Sequence, residues 1–292
     1  MNAVKTAFLL TLMTVVLVLV GGRYGGRNGM ILAFAVSLGM NFFSYFYSDK
    51  LALAMYKAQP VTREQLPRAY EVVERMTQRV GLPMPKIYVI PSDSPNAFAT
   101  GRNPAHASIA VTQGILELLT DDELEGVLAH ELGHVRNRDI LTSSIVASLA
   151  GAITMLSRFA YFAQLFGGGG GRDDRRGGGL SGLFMIILAP IAATLIQLWI
   201  SRTREFEADA TGAHITGNPN ALASALEKLD LYSKRIPMQA SPSNAHMFIV
   251  APMLGGASFA NLFSTHPPIA QRIERLIGRD SVLGTPRGPQ RG

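Results

Sequence analysis

The sequence predicts a mainly α-helical membrane protein with a small β-sheet, standing on four transmembrane helices. Of the 292 residues, 48% are apolar and only 16% are charged, where soluble domains carry about 25% charge. Apolar runs at 4–22, 30–48, 140–166 and 180–200 each approach, with their flanks, the roughly 20 residues that cross a bilayer. The polar remainder is helical in spacing, except for a β-branched and aromatic stretch near residues 86–112.

The first run follows Lys5. Val20-Gly21-Gly22-Arg23 offers no small-x-small cleavage site, so the run reads as a span and not as a signal peptide. Arg23-Tyr24-Gly25-Gly26-Arg27 supplies a turn into the second run, and residues 1–48 read as a transmembrane hairpin. Residues 49–139 form the first polar segment. Leu66, Ala69, Tyr70, Val73, Met76 and Val80 recur at helical spacing, and Gly81-Leu82-Pro83 ends that helix. Lys86 to Ile90 is a strand by composition; Asn96 to Thr100 and Ala107 to Thr112 are two shorter ones across the turn Gly101-Arg102-Asn103-Pro104. Thr120-Asp121-Asp122-Glu123 matches a capping box and opens a helix carrying Leu124, Val127, Leu128, Leu132 and Val135.

Residues 140–201 read as a second hairpin. Its first span, 140–166, holds Arg158 as its only formal charge; its second, 180–200, tolerates Pro190 as a kink and ends on Trp199 as an interfacial anchor. The joining loop 167–179 is Gly-rich and lacks the Gly-Lys-Ser/Thr ending of a phosphate loop. In residues 202–278, a helix continues from the fourth span, Asn218-Pro219 caps another that runs to about Tyr232, and Thr265-His266-Pro267-Pro268 opens a short last helix. The polar tail 279–292 is expected to be disordered.

The absence of cysteine excludes disulfides and thiolate metal sites. The net charge of +6 comes with no basic stripe of interleaved aromatics, so the expected partner is the lipid bilayer and not nucleic acid. Four spans place both polar segments on one side. Lys5, Lys50, Lys57, Arg136, Arg138, Arg202 and Arg204 outnumber Arg23, Arg27, Arg172, Arg175 and Arg176 opposite, which marks that side as cytoplasmic.

The chemistry centres on His130-Glu131-Leu132-Gly133-His134, an H-E-x-x-H inside the helix opened by the capping box. Residues four apart share a helix face, so both imidazoles can bind one zinc ion. Glu131 lies about 100° round the helix, where it can accept a proton from a water at that ion. A plain amphipathic helix is the other reading, but with six His in 292 residues a chance match is roughly a one-in-a-hundred event. Catalytic zinc keeps three protein ligands. Asn137 and Ile140 rule out the metzincin continuation, so the third is a later Glu, or His106, His214, His246 or His266.

HELGH, then Arg204-Glu205-Phe206-Glu207-Ala208-Asp209-Ala210 after the fourth apolar run, then Thr265-His266-Pro267-Pro268 with Arg272, resemble the HtpX membrane metalloproteases, relatives of the CAAX prenyl proteases. The resemblance spans essentially the whole chain and includes Asn96-Ala97-Phe98-Ala99-Thr100 upstream of the motif. It implies a zincin-like metalloprotease domain on the four transmembrane helices, in a bacterial cytoplasmic (inner) membrane with its active site on the cytoplasmic side. It implies one Zn²⁺ per subunit held by His130, His134 and Glu205, with Glu131 catalytic. Asp209, four residues after Glu205, would hydrogen-bond a ligating His and fix its tautomer, and Glu207 would be a surface charge. His266 and Arg272 would approach the substrate oxyanion, a helix cap and a surface ion pair being the alternative. The expected activity is zinc-dependent cleavage of misfolded or damaged membrane proteins, with self-cleavage, the substrate extended along Asn96–Thr100 as an added strand. Two alternatives are carried: a CAAX-type prenyl-peptide protease, whose relatives have more spans around a large chamber, and a non-catalytic zinc protein that binds polypeptides.

Overall fold

The computed structural model describes residues 2–146, 202–236, 248–249 and 267–278. The expected spans beyond residue 146, the loop 167–179, the tail 279–292, His246 and His266 lie outside the described residues. The chain divides into two compact units, one containing residues up to Ser48 together with those from Thr142, the other containing Asp49–Leu141 and the polar segment after residue 200.

The helix α1, Asn2–Met55, which lies in the first unit as far as Ser48, is interrupted at Gly26, whose φ of 55° and ψ of −144° are not helical. The chain doubles back there. A Cβ on Gly21 would stand 2.4 Å from the Gly29 carbonyl oxygen and 2.6 Å from the Ala33 methyl, so only glycine admits this approach. Further along, Asn41 Nδ2 donates to Thr14 Oγ1 at 2.9 Å and to the Leu10 carbonyl at 3.3 Å. Thr6 and Thr142 share a hydroxyl bond of 2.9 Å. Polar side chains thus turn inwards, towards one another. Outwards stand Phe8, Val15, Leu19, Ile31, Leu32, Phe42 and Phe43. Thr6–Arg23 and Gly25–Met55 are long and apolar enough to cross a membrane, and their apolar windows are only 18% and 11% buried by protein. An apolar surface of that extent is stable only against lipid or another protein. The expected turn at Arg23–Arg27 is therefore found, as a reversal at Gly26.

In the second unit a four-stranded sheet lies beside a central helix. The strands are β1 (Gln59–Pro60), β2 (Lys86–Ile90), β3 (Ala97–Gly101) and β4 (Ala107–Thr112), in the order β1-β2-β4-β3. β2 pairs parallel to β4 and β3 antiparallel to it. Between β2 and the short 3₁₀ turn at Pro104–His106 the chain thus reverses to leave β3 at an edge. Helix α2 (Pro67–Val80) begins on a proline at its first turn and ends on Gly81 at φ 67°, in the left-handed region glycine favours. Its buried side, Ala69, Val72, Val73 and Met76, joins Ile87, Ile109 and Val111 of the sheet in one core. Helix α3 (Gln113–Leu118), capped by Thr112, was not foreseen: six residues give too short a pattern to show a period.

Helix α4 (Asp121–Arg136) carries the complete capping box between Thr120 and Glu123, as its sequence requires. Glu123 also accepts from Ser224 and Lys228 of a later helix, which holds its carboxyl below the usual range in spite of burial. α4 is buried on nearly every side, from Leu124 to Val135. Its neighbours are α5 (Arg202–Thr216), α6 (Pro219–Arg235), begun by the expected Asn218 cap, and the sheet; α7 (Ile269–Ile277) packs on α5 and α6. Small residues set the spacing. A Cβ on Gly126 would lie 2.9 Å from the Leu222 backbone of α6, and one on Gly212 of α5 would lie 2.9 Å from the His130 nitrogen.

Gly212→Ala tests this packing. In an open helix the change would add up to about 1 kcal/mol of stability. Here the methyl meets main chain, so we expect a loss of about 1–3 kcal/mol, read as a lower midpoint of thermal unfolding.

Candidate metal centre

His130 and His134 sit one turn apart on α4, as their spacing demands, with ring centroids 4.8 Å apart and Nε2 atoms 3.2 Å apart. Two imidazole nitrogens this close repel unless a proton or a cation lies between them. Glu205, one turn into α5, completes the group: its Oε1 is 3.6 Å from His134 Nε2 and its Oε2 is 3.8 Å from His130 Nε2. A tetrahedral ion with bonds of about 2.0–2.1 Å sets its ligand atoms about 3.3–3.4 Å apart. The three separations bracket that value. Two imidazoles and a carboxylate are also a donor set that zinc accepts. Among the described residues this is the group of three able to hold a metal ion, its ligand atoms all within 4.8 Å of one another.

The close contact of α4 and α5 is what lets Glu205 reach. Gly133 has the Ala208 carbonyl 3.1 Å from where its Cβ would be, and Gly212 faces the His130 backbone. Asp209, one turn beyond Glu205, accepts from His130 Nδ1 at 2.9 Å and so leaves the Nε2 lone pair able to bind a metal ion. Asp209 is itself gripped by Arg272 of α7, whose Nε and Nη2 donate to its two oxygens at 2.8 and 2.6 Å. Arg272 Nη1 donates to the Ile249 carbonyl at 2.9 Å.

Arg272 is fully buried, so its reading as a surface ion pair fails. Its fork is bonded to Asp209 and to the Ile249 carbonyl, behind His130. His106 is exposed and bonded to Asn103, His214 is exposed, and neither belongs to the metal group. Glu207 is exposed, as expected. Sequence reasoning missed Asp139, whose Oδ2 is 3.4 Å from His134 Nδ1. It lies five residues past His134, beyond the end of α4, where helical spacing carries no information.

Glu131 is buried beside the group. Burial pushes its carboxyl up to about 7; the His134 charge pulls it down, Glu205 adds to the rise, and the Ala99 amide of β3 donates to it. Burial lowers His130 to about 4, against the pull of Asp209. Burial also acts to lower His134, but Asp139, Glu205 and Glu131 override it and raise that imidazole to about 9. Burial would raise Asp209, yet the Arg272 guanidinium and His130 hold it below the usual carboxylate range. β3 is the edge strand of the sheet, and part of its outer edge is engaged: the Ala97 carbonyl accepts from the Ile249 amide at 3.1 Å.

A model of peptidase family M48 matches residues 63–280 of this chain. The chain is 56% identical to the protease HtpX homolog of Desulfatibacillum aliphaticivorans, covering 99% of this chain and 94% of that protein. It is 54% identical to the protease HtpX homolog of Pelotomaculum thermopropionicum, covering 94% and 98%. Among solved structures it is similar to that of S. mikatae Ste24p, with a TM-score of 0.52 at 22% identity over 94% of this chain. The chain spans 65% of the Ste24p chain, and at that identity the likeness concerns the fold.

Titration of the metal-free protein has a definite sign. His134, raised above its ordinary value of 6.5 to about 9, contributes stability that is complete below about pH 6.5 and is lost as pH rises through about 9. Glu131, raised to about 7, acts in the same direction lower down, and His130 is neutral in both states above about pH 6.5. We expect the unfolding midpoint of metal-free protein to fall between pH 7 and 9. The midpoint increase on adding zinc should grow over the same interval, because the ion replaces the lost proton.

Proposed function

The chain belongs to peptidase family M48 and is a metalloprotease, and from that premise we propose that it is a zinc-dependent endopeptidase of the bacterial inner membrane that cleaves misfolded or damaged membrane proteins. The observation that carries the reading is the convergence of His130, His134 and Glu205 on one point, with the Glu131 carboxyl buried beside them. We assign His130, His134 and Glu205 as the ligands of one zinc ion per subunit. When bound, zinc supplies Lewis acidity to the scissile carbonyl and the attacking water. The rest of the chemistry falls to the chain's own groups. Glu131, buried beside the group with the Ala99 amide donating to it, is placed to take a proton from the attacking water and to return it to the leaving amine. Asp209 keeps His130 in the tautomer that offers Nε2, and Arg272 keeps Asp209 ionised and in place.

The setting is assigned on the same footing. Two apolar helices in the first unit support membrane attachment. The excess of Lys and Arg beside the polar segments supports four spans with the site on the cytoplasmic face. A site held near the bilayer favours membrane-embedded polypeptides, including other copies of this chain, as substrates. The prenyl-peptide reading has less behind it, since the likeness to Ste24p at 22% identity concerns the fold and covers 65% of that chain.

Glu131→Gln separates binding from chemistry. The variant should retain a full complement of zinc and lose cleavage of casein or an unfolded membrane protein by about 10²–10⁴-fold. Unchanged cleavage would remove Glu131 from its role, and undiminished activity after chelation would remove the metal. Preferred cleavage of a CAAX peptide over casein would favour the prenyl-peptide reading.

A further inference from the structure

The two metal histidines differ in what the sequence says of their support. His130 has Asp209, at a spacing that a helix explains. His134 has a buried carboxylate too, delivered by a device outside any helical period. Helix α4 ends in a Schellman turn: the Arg138 amide donates to the Val135 carbonyl at 3.2 Å and the Asp139 amide to the His134 carbonyl at 3.0 Å. The turn needs a left-handed residue, and Arg138 fills it at φ 58°, where glycine is the usual occupant. Its result is that Asp139 folds back over the last turn of α4 and presents Oδ2 to His134 Nδ1 at 3.4 Å. Asp139 is buried to 2% exposure. An ionised carboxylate so buried requires compensating charge or hydrogen bonds. One source is Arg204, itself buried, whose Nη1 lies 3.9 Å from Asp139 Oδ1.

We propose that Asp139 is the positioning residue of His134, so that each metal histidine is oriented through Nδ1 by its own buried carboxylate, and that Arg204 steadies Asp139 as Arg272 steadies Asp209. Helix α5 then carries three successive parts of the centre: Arg204 behind His134, Glu205 at the metal, and Asp209 behind His130. The inference rests on the metal assignment made above. Its rival is a purely structural role, since Asp139 immediately precedes the helical residues 140–146 and can cap them.

Serine and asparagine both cap helices well, and this separates the two roles. Asp139→Ser keeps a cap but is too short to reach His134; Asp139→Asn keeps an acceptor and loses the charge. Apparent zinc affinity of full-length protein in detergent would be measured by chelator competition, with the d–d spectrum of the cobalt-substituted protein and thermal unfolding of the metal-free form. Positioning predicts about 10–100-fold weaker zinc binding for Asp139→Ser, a smaller loss for Asp139→Asn, and altered cobalt bands in both, the cooperative unfolding of the metal-free form serving to show that each variant is folded. Zinc affinity and cobalt bands unchanged in both variants would overturn the proposal and leave the cap. A wild-type chain that binds no zinc would instead overturn the metal assignment. Asp121→Asn, at the exposed start of α4, is the control and should match wild type.

Discussion

Helices α4 and α5 touch through backbone, and everything at the metal centre depends on that closeness. Glycine 133 and Ala208 meet on one side of the contact, Gly212 and His130 on the other, with separations near 3 Å from where a methyl would stand. A carboxylate side chain is short. Glu205 comes within 3.6–3.8 Å of both imidazoles only because no larger side chains hold the two helices apart. Hydrophobic burial supplies the force that closes the contact, through Leu124, Leu128, Leu132 and Ala208 in the common core. The absence of side chains at the glycines decides how far it can close.

That contact also imposes a cost. His130, Glu131, Asp139, Arg204, Asp209 and Arg272 are all removed from water. Each buried ion forfeits several kcal/mol of hydration, which excellent geometry has to recover. Arg272 shows how: both carboxylate oxygens of Asp209 and a main-chain carbonyl absorb its donors. Apolar replacements would give an equally stable core with less effort. The arrangement makes sense as one that fixes the direction of two imidazole rings, a task apolar side chains cannot perform.

Much of this was legible beforehand because it is periodic or has a local signature. The capping box at Thr120, the Asn218 cap, the i, i+4 pair of histidines and the strands at 86–90 and 107–112 follow from neighbours in sequence. Glu205 was not derivable in that way. From residue types alone it was one candidate among several, and only the likeness to a family singled it out. Asp139 escaped because a left-handed Arg138 brings it back, and no composition rule anticipates arginine there. The surface ion pair carried as the alternative for Arg272 had weight because long charged side chains are rarely fully buried. Its partner, Asp209, is 63 residues away.

The bond between Ile249 and Ala97 changes the character of the sheet's last strand. A bare edge is a template on which unrelated chains, or further copies of the same one, stack into insoluble ribbons. On β3, the Ala97 carbonyl and the Ala99 amide have already found partners within the molecule. At those two groups a newcomer must trade one internal bond for one external, an exchange worth close to nothing. An edge engaged in this way is less apt to gather stray strands.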